Sequence, residues 1–84
     1  MMGKVIHQVS PTFPREAREK NIRGTVVLHV IIDQKGNVKE VSVQEGEPLL
    51  RAAAMEAVRQ WRFQPTLLDG DPVEVETVIG ILFN

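Results

Sequence analysis

Residues 24–33 restrict the fold of this chain more than any other stretch. From residue 26 to residue 32 the side chains are apolar and mostly β-branched, interrupted only by His29. Successive side chains of a strand point to opposite faces, so apolar residues fall on both faces here. Two apolar faces are typical of a strand in the middle of a sheet. We therefore predict a central strand over residues 24–33.

A tight turn and a second strand follow the central strand. The turn is Asp33-Gln34-Lys35-Gly36-Asn37, in which Gly36 can take a positive φ in a short hairpin loop. Over residues 38–44, Val41 and Val43 alternate with polar side chains. This pattern predicts a strand with one buried face, nearer the edge of the sheet.

An apolar stripe at helical spacing predicts a helix over about residues 48–62, with Pro48 near its start. The stripe consists of Leu50, Ala54, Ala57 or Val58, and Trp61. Pro65 disfavours the α region for Gln64, so we expect the helix to end near Phe63 with Trp61 in its last turn. We interpret Trp61, Phe63 and Pro65 as structural residues, with Trp61 fixing the helix to the sheet.

The chain begins with an extended lead-in over residues 1–13, because Pro11 and Pro14 exclude a helix there. A short extra N-terminal strand can form within this extended segment. Pro14 suits the first position of a helix, which we predict over about residues 14–21. Its many charged side chains are interpreted as a solvated face.

The last strand is predicted over residues 73–83, after a turn at residues 66–72 that contains Asp69-Gly70. Apolar side chains alternate along it, and Gly80 interrupts its second face. The elements come in the order α-β-β-α-β. We predict an α+β fold for a single domain, residues 1–84, with a small antiparallel three-stranded sheet and two helices packed on one face.

Composition excludes several classes of protein. The net charge of −1 and the pI of about 6.1 oppose nucleic-acid binding, although Arg51, Arg59 and Arg62 lie close to Trp61 in the sequence. No apolar run is long enough to span a membrane. There is no cysteine, hence no disulfide framework or thiolate metal site.

No group of residues in the sequence predicts catalysis or a cofactor. His7 and His29 are the only histidines and lack a second ligand at metal-binding spacing. Glu74 and Glu76 share a strand face, but no histidine or oxyanion donor lies near them in sequence. We predict no catalytic, cofactor or metal site; an enzyme or metal protein acting through a histidine is the least favoured alternative.

The remaining candidate is the edge of the sheet. An edge strand exposes a row of backbone N–H and C=O groups, to which an extended peptide can add by β-augmentation. Residues such as Glu74, Glu76 and Gly80 can equally serve only to blunt such an edge. The residue pattern alone leaves both readings open.

Ordered motifs along the chain resemble the TonB C-terminal domain family. They are Ser10-Pro11-Thr12-Phe13-Pro14-Arg15-Glu16-Ala17, Gly24-Thr25-Val26, residues 33–36, residues 57–65, Asp69-Gly70 and Ile81-Leu82-Phe83. They occur in consistent order from about residue 9 to residue 84, and Trp61-Arg62-Phe63-Gln64-Pro65 is quite specific.

The resemblance implies a non-catalytic periplasmic domain of an energy transducer in a Gram-negative bacterium. Such proteins are anchored in the inner membrane by an N-terminal helix, followed by a proline-rich linker. Through that helix they work with ExbB and ExbD, which use the proton-motive force. The C-terminal domain binds the Ton box of outer-membrane receptors as an added strand, in the uptake of nutrients such as siderophores or vitamins.

The resemblance also implies which residues bind the partner. Near the receptor lie Ser10, Pro11, Thr12, Phe13 and Pro14. The strand that receives the Ton box comprises Val75, Glu76, Thr77, Val78, Ile79, Gly80, Ile81, Leu82 and Phe83. Ser10 and Phe13 stand where the family has Gln and Tyr, so an amide and a hydroxyl are missing, whereas backbone pairing is unaffected.

Two further expectations follow. An exposed edge can pair with a second copy of the chain, which allows a homodimer of a short fragment. The alternative function is a TonB-like interaction domain appended to a sensor, a peptidase or another cell-envelope protein.

Overall fold

The computed structural model describes residues 5–84 as seven strands and two helices. In chain order the elements are β1 (Val5–His7), α1 (Arg15–Glu19), β2 (Gly24–Ile32), β3 (Val38–Glu45), α2 (Pro48–Arg59), β4 (Arg62–Phe63), β5 (Thr66–Leu68), β6 (Asp71–Val73) and β7 (Val75–Phe83).

The main sheet has three antiparallel strands in the order β3-β2-β7, so β2 is central. One face of β2 is buried, through Val26, Leu28, Val30 and Ile32. Residues 27, 29 and 31 on its other face are half-buried. The prediction of an α+β fold with a central strand over residues 24–33 is therefore confirmed, with the strand ending at Ile32.

Both helices supply apolar side chains to the buried face of the sheet. Leu50, Ala54 and Val58 of α2 are fully buried, as the helical spacing requires. Ala17 of the much shorter α1 is fully buried as well. A buried side chain of the size of leucine or valine contributes about 1.5–3 kcal/mol, so this one layer supplies most of the apolar stabilisation.

The second helix ends earlier than the sequence predicts. Its last residue is Arg59, and Gln60 caps it by donating its backbone N–H to the Ala57 carbonyl. Trp61 lies beyond the helix, with its backbone N–H bonded to the Val58 carbonyl at 3.0 Å. The helix stops because Arg62 and Phe63, the two residues after Trp61, form β4, which pairs with β1.

Trp61 joins the lead-in to the core. Its indole Nε1 donates a hydrogen bond to the Val9 carbonyl at 2.9 Å, and its ring lies 6.2 Å from that of Phe63. Trp61 and Phe63 are 6% and 4% exposed. Trp61 therefore connects the lead-in at Val9 with β4 at Phe63, whereas the sequence predicted only that it anchors the helix.

The turn between β2 and β3 contacts β4 directly. Gly36 has φ +87°, and its carbonyl accepts the backbone N–H of Phe63 at 2.8 Å. The Asp33 carboxylate shapes the turn by accepting the backbone N–H groups of Lys35 and Asn37, both at 2.9 Å. Gly36 is thus required both for its backbone conformation and for its closeness to Phe63.

Both ends of α1 also differ from those predicted. Pro14 precedes α1 in an extended conformation, ψ 137°, instead of opening the helix. The helix stops at Glu19 because Asn21 takes φ +56° and Ile22 donates its N–H back to the Ala17 carbonyl at 2.8 Å.

Residues 66–73 form a small hairpin of β5 and β6 where only a turn was predicted. Asp69 and Gly70 at its tip both have positive φ, 52° and 85°, which matches the right-handed twist of paired strands. Val73 belongs to β6, so the last strand begins at Val75 instead of residue 73.

We expect Gly36→Ala to lower the free energy of unfolding more than Gly70→Ala does, by about 1–3 kcal/mol. Both glycines have nearly the same positive φ, +87° and +85°, so both substitutions pay the same backbone cost of about 1–2 kcal/mol. A Cβ at Gly36 would also overlap the Phe63 carbonyl, whereas nothing lies within 4 Å at Gly70. Urea unfolding followed by circular dichroism measures the difference; equal losses would contradict the proposed clash.

We expect Trp61→Ala to destabilise the domain by about 3–5 kcal/mol, because it empties a large core site. Trp61→Phe retains an aromatic ring but loses the Nε1 donor to Val9, and we expect an intermediate loss. Thermal unfolding by circular dichroism is the suitable measurement, since both variants lack the only tryptophan. A Trp61→Ala variant of normal stability that fails to bind a partner would show that the residue acts in binding instead.

Candidate partner-binding edge

Strand β7 lies at an edge of the main sheet. Within residues 5–84, β2 is the only strand that pairs with it. In an antiparallel ladder, alternate residues direct their N–H and C=O groups away from the partner strand. The outer side of β7 therefore offers a row of backbone groups along a nine-residue strand.

The two faces of β7 differ strongly. Thr77, Ile81 and Phe83 are buried beneath the helices, at 7%, 6% and 2% exposure. On the opposite face, Val78 and Leu82 are 52% and 61% exposed. The buried face fixes the strand in the domain, while the backbone edge and the open face remain available to a partner.

The other edge of the sheet, β3, is less regular. Its register with β2 shifts twice, between Val27 and Leu28 and between Ile31 and Ile32. In contrast, β7 pairs with β2 without any shift from Val75 to Phe83. Irregular pairing twists an edge and opposes strand addition, so β7 is the better receptor for an extended peptide.

Both glutamates near the start of β7 have partners within the domain. Glu74 lies 2.9 Å from the Lys39 ammonium, and this contact raises the pKa of Lys39 above its usual value. Glu76 lies 3.4 Å from Nε2 of His29 on the neighbouring strand. The contact of Glu76 with His29 is a cross-strand pair between β7 and β2, whereas Glu74 precedes β7 and reaches Lys39 of β3.

Phe13 of the predicted 10–14 segment contacts β7. The Phe13 ring meets the Phe83 ring edge-on, at 5.7 Å between centroids and 89° between planes. Ser10 and Thr12 instead border a small cavity against α2 and are exposed. The two sets of predicted binding residues therefore meet at the carboxyl end of β7.

A cavity of about 350 Å³ lies at this same end and was missed in the sequence. Its lining residues are Phe13, Arg18, Asn21, Arg23 and Asn84. Arg18 is exposed, in agreement with the solvated face predicted for α1, and the sequence pattern alone does not indicate that it lines a cavity. One signal could have placed Arg23 near this end of β7. Arg23 directly precedes β2, and the first residue of β2 pairs with the last residue of β7.

Other candidate sites are not assembled. Across residues 5–84, no three His, Asp or Glu side chains are grouped so that they could hold a metal ion. His7 lies exposed on β1, and His29 contacts Glu76. No helix in this part of the chain has the length and apolar character of a membrane span.

We expect amide hydrogen exchange to distinguish the edge strand from the central one. From Val27 to Ile32, β2 is paired with strands on both sides, so we expect the amides of this part of the strand to exchange slowly. In β7, protection should alternate along the strand, because alternate amides face solvent. Exchange measured by NMR at low protein concentration tests this; uniform protection of β7, equal to that of β2, would show that its edge is covered.

Comparisons with known proteins agree on one family. The family model for the Gram-negative bacterial TonB protein C-terminal matches residues 9–84. Protein TonB of Vibrio cholerae is 40% identical over 79 residues, which cover 92% of this chain and 32% of that protein. Protein TonB of Xanthomonas campestris is 37% identical over 62 residues, covering 71% of this chain and 28% of that protein.

A solved structure supports the same assignment. The solution NMR structure of the Pseudomonas aeruginosa TonB CTD superposes with a TM-score of 0.79 and 25% identity, covering 96% of this chain and 84% of that chain. The chain spans about a third of the length of the curated relatives it matches. This chain therefore belongs to the family of Gram-negative bacterial TonB C-terminal domains.

Proposed function

We propose that this domain is the receptor-binding part of a TonB-type energy transducer, and that it binds the Ton box of an outer-membrane receptor by strand addition to β7. The observation that supports this most directly is the outer edge of β7, nine residues long and in unbroken register with β2. The proposed binding strand comprises Val75, Glu76, Thr77, Val78, Ile79, Gly80, Ile81, Leu82 and Phe83.

Backbone pairing suits a contact that must form and separate repeatedly. Each hydrogen bond contributes only about 1 kcal/mol net, so affinity comes from the number of bonds along the strand. The exposed Val78 and Leu82 give an added strand apolar neighbours on the open face. Binding of this kind needs no covalent chemistry, in agreement with a non-catalytic role.

Residues 10–14 are proposed to contact the receptor beside the Ton box. Phe13 links this segment to the end of β7 through its contact with Phe83. The Ser10 and Thr12 side chains are exposed and can bond to a partner. Pro11 and Pro14 keep the segment extended, which lowers the entropy cost of docking.

The remainder of the protein is proposed by membership of the family. We infer an inner-membrane helix upstream that works with ExbB and ExbD, and a periplasmic position for this domain. In that arrangement the domain transmits energy derived from the proton-motive force to nutrient uptake.

An alternative assignment is a TonB-like interaction domain within another cell-envelope protein. The match to Vibrio cholerae protein TonB covers 92% of this chain, and this favours the transducer. A second copy of the chain is also a candidate partner for the β7 edge, since a homodimer would use the same backbone groups.

Titration of the ¹⁵N-labelled domain with a synthetic Ton-box peptide tests the proposal. We expect the backbone amides from residue 74 to residue 83 to shift, because new hydrogen bonds form along that strand. Amides of β3 serve as an internal reference for the opposite edge. Unchanged β7 amides accompanied by shifts elsewhere would refute strand addition at this site.

A peptide of the same sequence with alternate amides N-methylated is the matched control. It keeps every side chain but cannot donate the ladder hydrogen bonds, so we expect its affinity to fall at least tenfold. Equal binding of both peptides would indicate recognition through side chains alone.

A further inference from the structure

The cavity at the end of β7 has the composition of a carboxylate-binding site. Two guanidinium groups, Arg18 and Arg23, line it together with Asn21, Asn84 and the ring of Phe13. We infer that this cavity binds the side-chain carboxylate of an acidic residue that flanks the β7-pairing segment of the partner peptide. This inference rests on the proposed function and adds a determinant of partner specificity to it.

The position of the cavity links it to the binding edge. Gly24 pairs with Phe83, so Arg23 and Asn84 lie one residue beyond the end of the β2–β7 ladder. A peptide strand paired with β7 that continues past Phe83 therefore reaches the cavity with its next residues. The side chain of such a flanking residue is the group that the cavity can receive.

The two arginines lack carboxylate partners of their own. Within residues 5–84, neither guanidinium lies within 4.0 Å of a carboxylate oxygen. By contrast, Arg15 on the same helix is paired with Glu19 at 3.3 Å. A guanidinium presents a planar fork of N–H donors that matches a carboxylate, so these two groups are available for an external one.

Arg18 is also held in position. Its Cζ lies 5.7 Å from the centroid of the Phe13 ring, a cation–π contact. Phe13 is in turn packed edge-on against Phe83 of β7. This chain of contacts restrains the guanidinium of the exposed Arg18 relative to the strand, which reduces the entropy lost when a ligand binds.

The surroundings favour a peptide carboxylate over a polyanion. The net charge of −1 opposes binding of the domain to a nucleic acid. The cavity is small, and the amides of Asn21 and Asn84 add neutral donors next to the two charges. We therefore expect the cavity to recognise a single acidic side chain of a peptide strand that is paired with β7.

Peptides that differ in a single flanking residue test the inference. Two peptides carry one Glu, either before or after the pairing segment, and each has a matched version with Gln. We expect one of the Glu peptides to bind the wild-type domain about threefold to tenfold more tightly than its Gln version, with the smaller figure at high salt. Arg18→Gln and Arg23→Gln should each reduce this preference, and the double variant should abolish it.

Arg59→Gln is the matched control, because it removes the same charge from α2, outside the cavity. It should leave the preference unchanged. If Glu and Gln peptides shift the β7 amides and bind equally, the inference fails while strand addition stands; if neither shifts β7, the proposed function itself fails. Inorganic phosphate that binds the cavity as tightly as the Glu peptide would indicate a general anion site and overturn the inference.

Discussion

The fold depends on a short-range contact between two parts of the chain that are far apart in sequence. The backbone N–H of Phe63 donates to the Gly36 carbonyl, so the β2–β3 turn is joined to the segment that leaves α2. Trp61 then reaches Val9 from the same segment. Because this small domain has a thin core, the contacts of Phe63 with Gly36 and of Trp61 with Val9 decide whether the lead-in, α2 and the sheet fold together.

This arrangement gives the two edges of the sheet different properties. At β3 the pairing with β2 is interrupted, and α2 packs closely on that side of the sheet. At β7 the pairing is regular, and the buried side chains Ile81 and Phe83 keep the strand in place. A regular edge on a firmly anchored strand is what β-augmentation requires, so the proposed function uses a feature that many proteins suppress.

The sequence was informative wherever local periodicity controls structure. The two-residue period of β7 and the helical stripe of α2 correctly indicated which side chains are buried, because burial on one face follows directly from strand and helix geometry. In β2, where apolar residues occupy both faces, the sequence pattern does not distinguish the buried face from the half-buried one. Trp61 was assigned to the core correctly but to the helix wrongly. The extended conformation at Arg62 depends on pairing with His7 and Asn37, which no local pattern reveals.

The proposed binding site shows the same division. The resemblance of ordered motifs to the family indicated the last strand, whereas the cavity depends on Phe13, Arg18 and Arg23 meeting Asn84 in three dimensions. In the sequence, Arg18 is one of several charged residues on a short helix. The sequence does not show which of these residues form ion pairs in the folded domain. Only the folded arrangement separates Arg18 from Arg15, which is paired with Glu19.

The unbroken register between β7 and β2 also has a mechanical consequence. A peptide added to β7 and the strand β7 itself would carry tension through ladders of similar length. Only β7, however, has side chains locked into the core, including Phe83 at 2% exposure. Under load the proposed peptide ladder would therefore separate before β7 leaves the core, and the domain would stay folded.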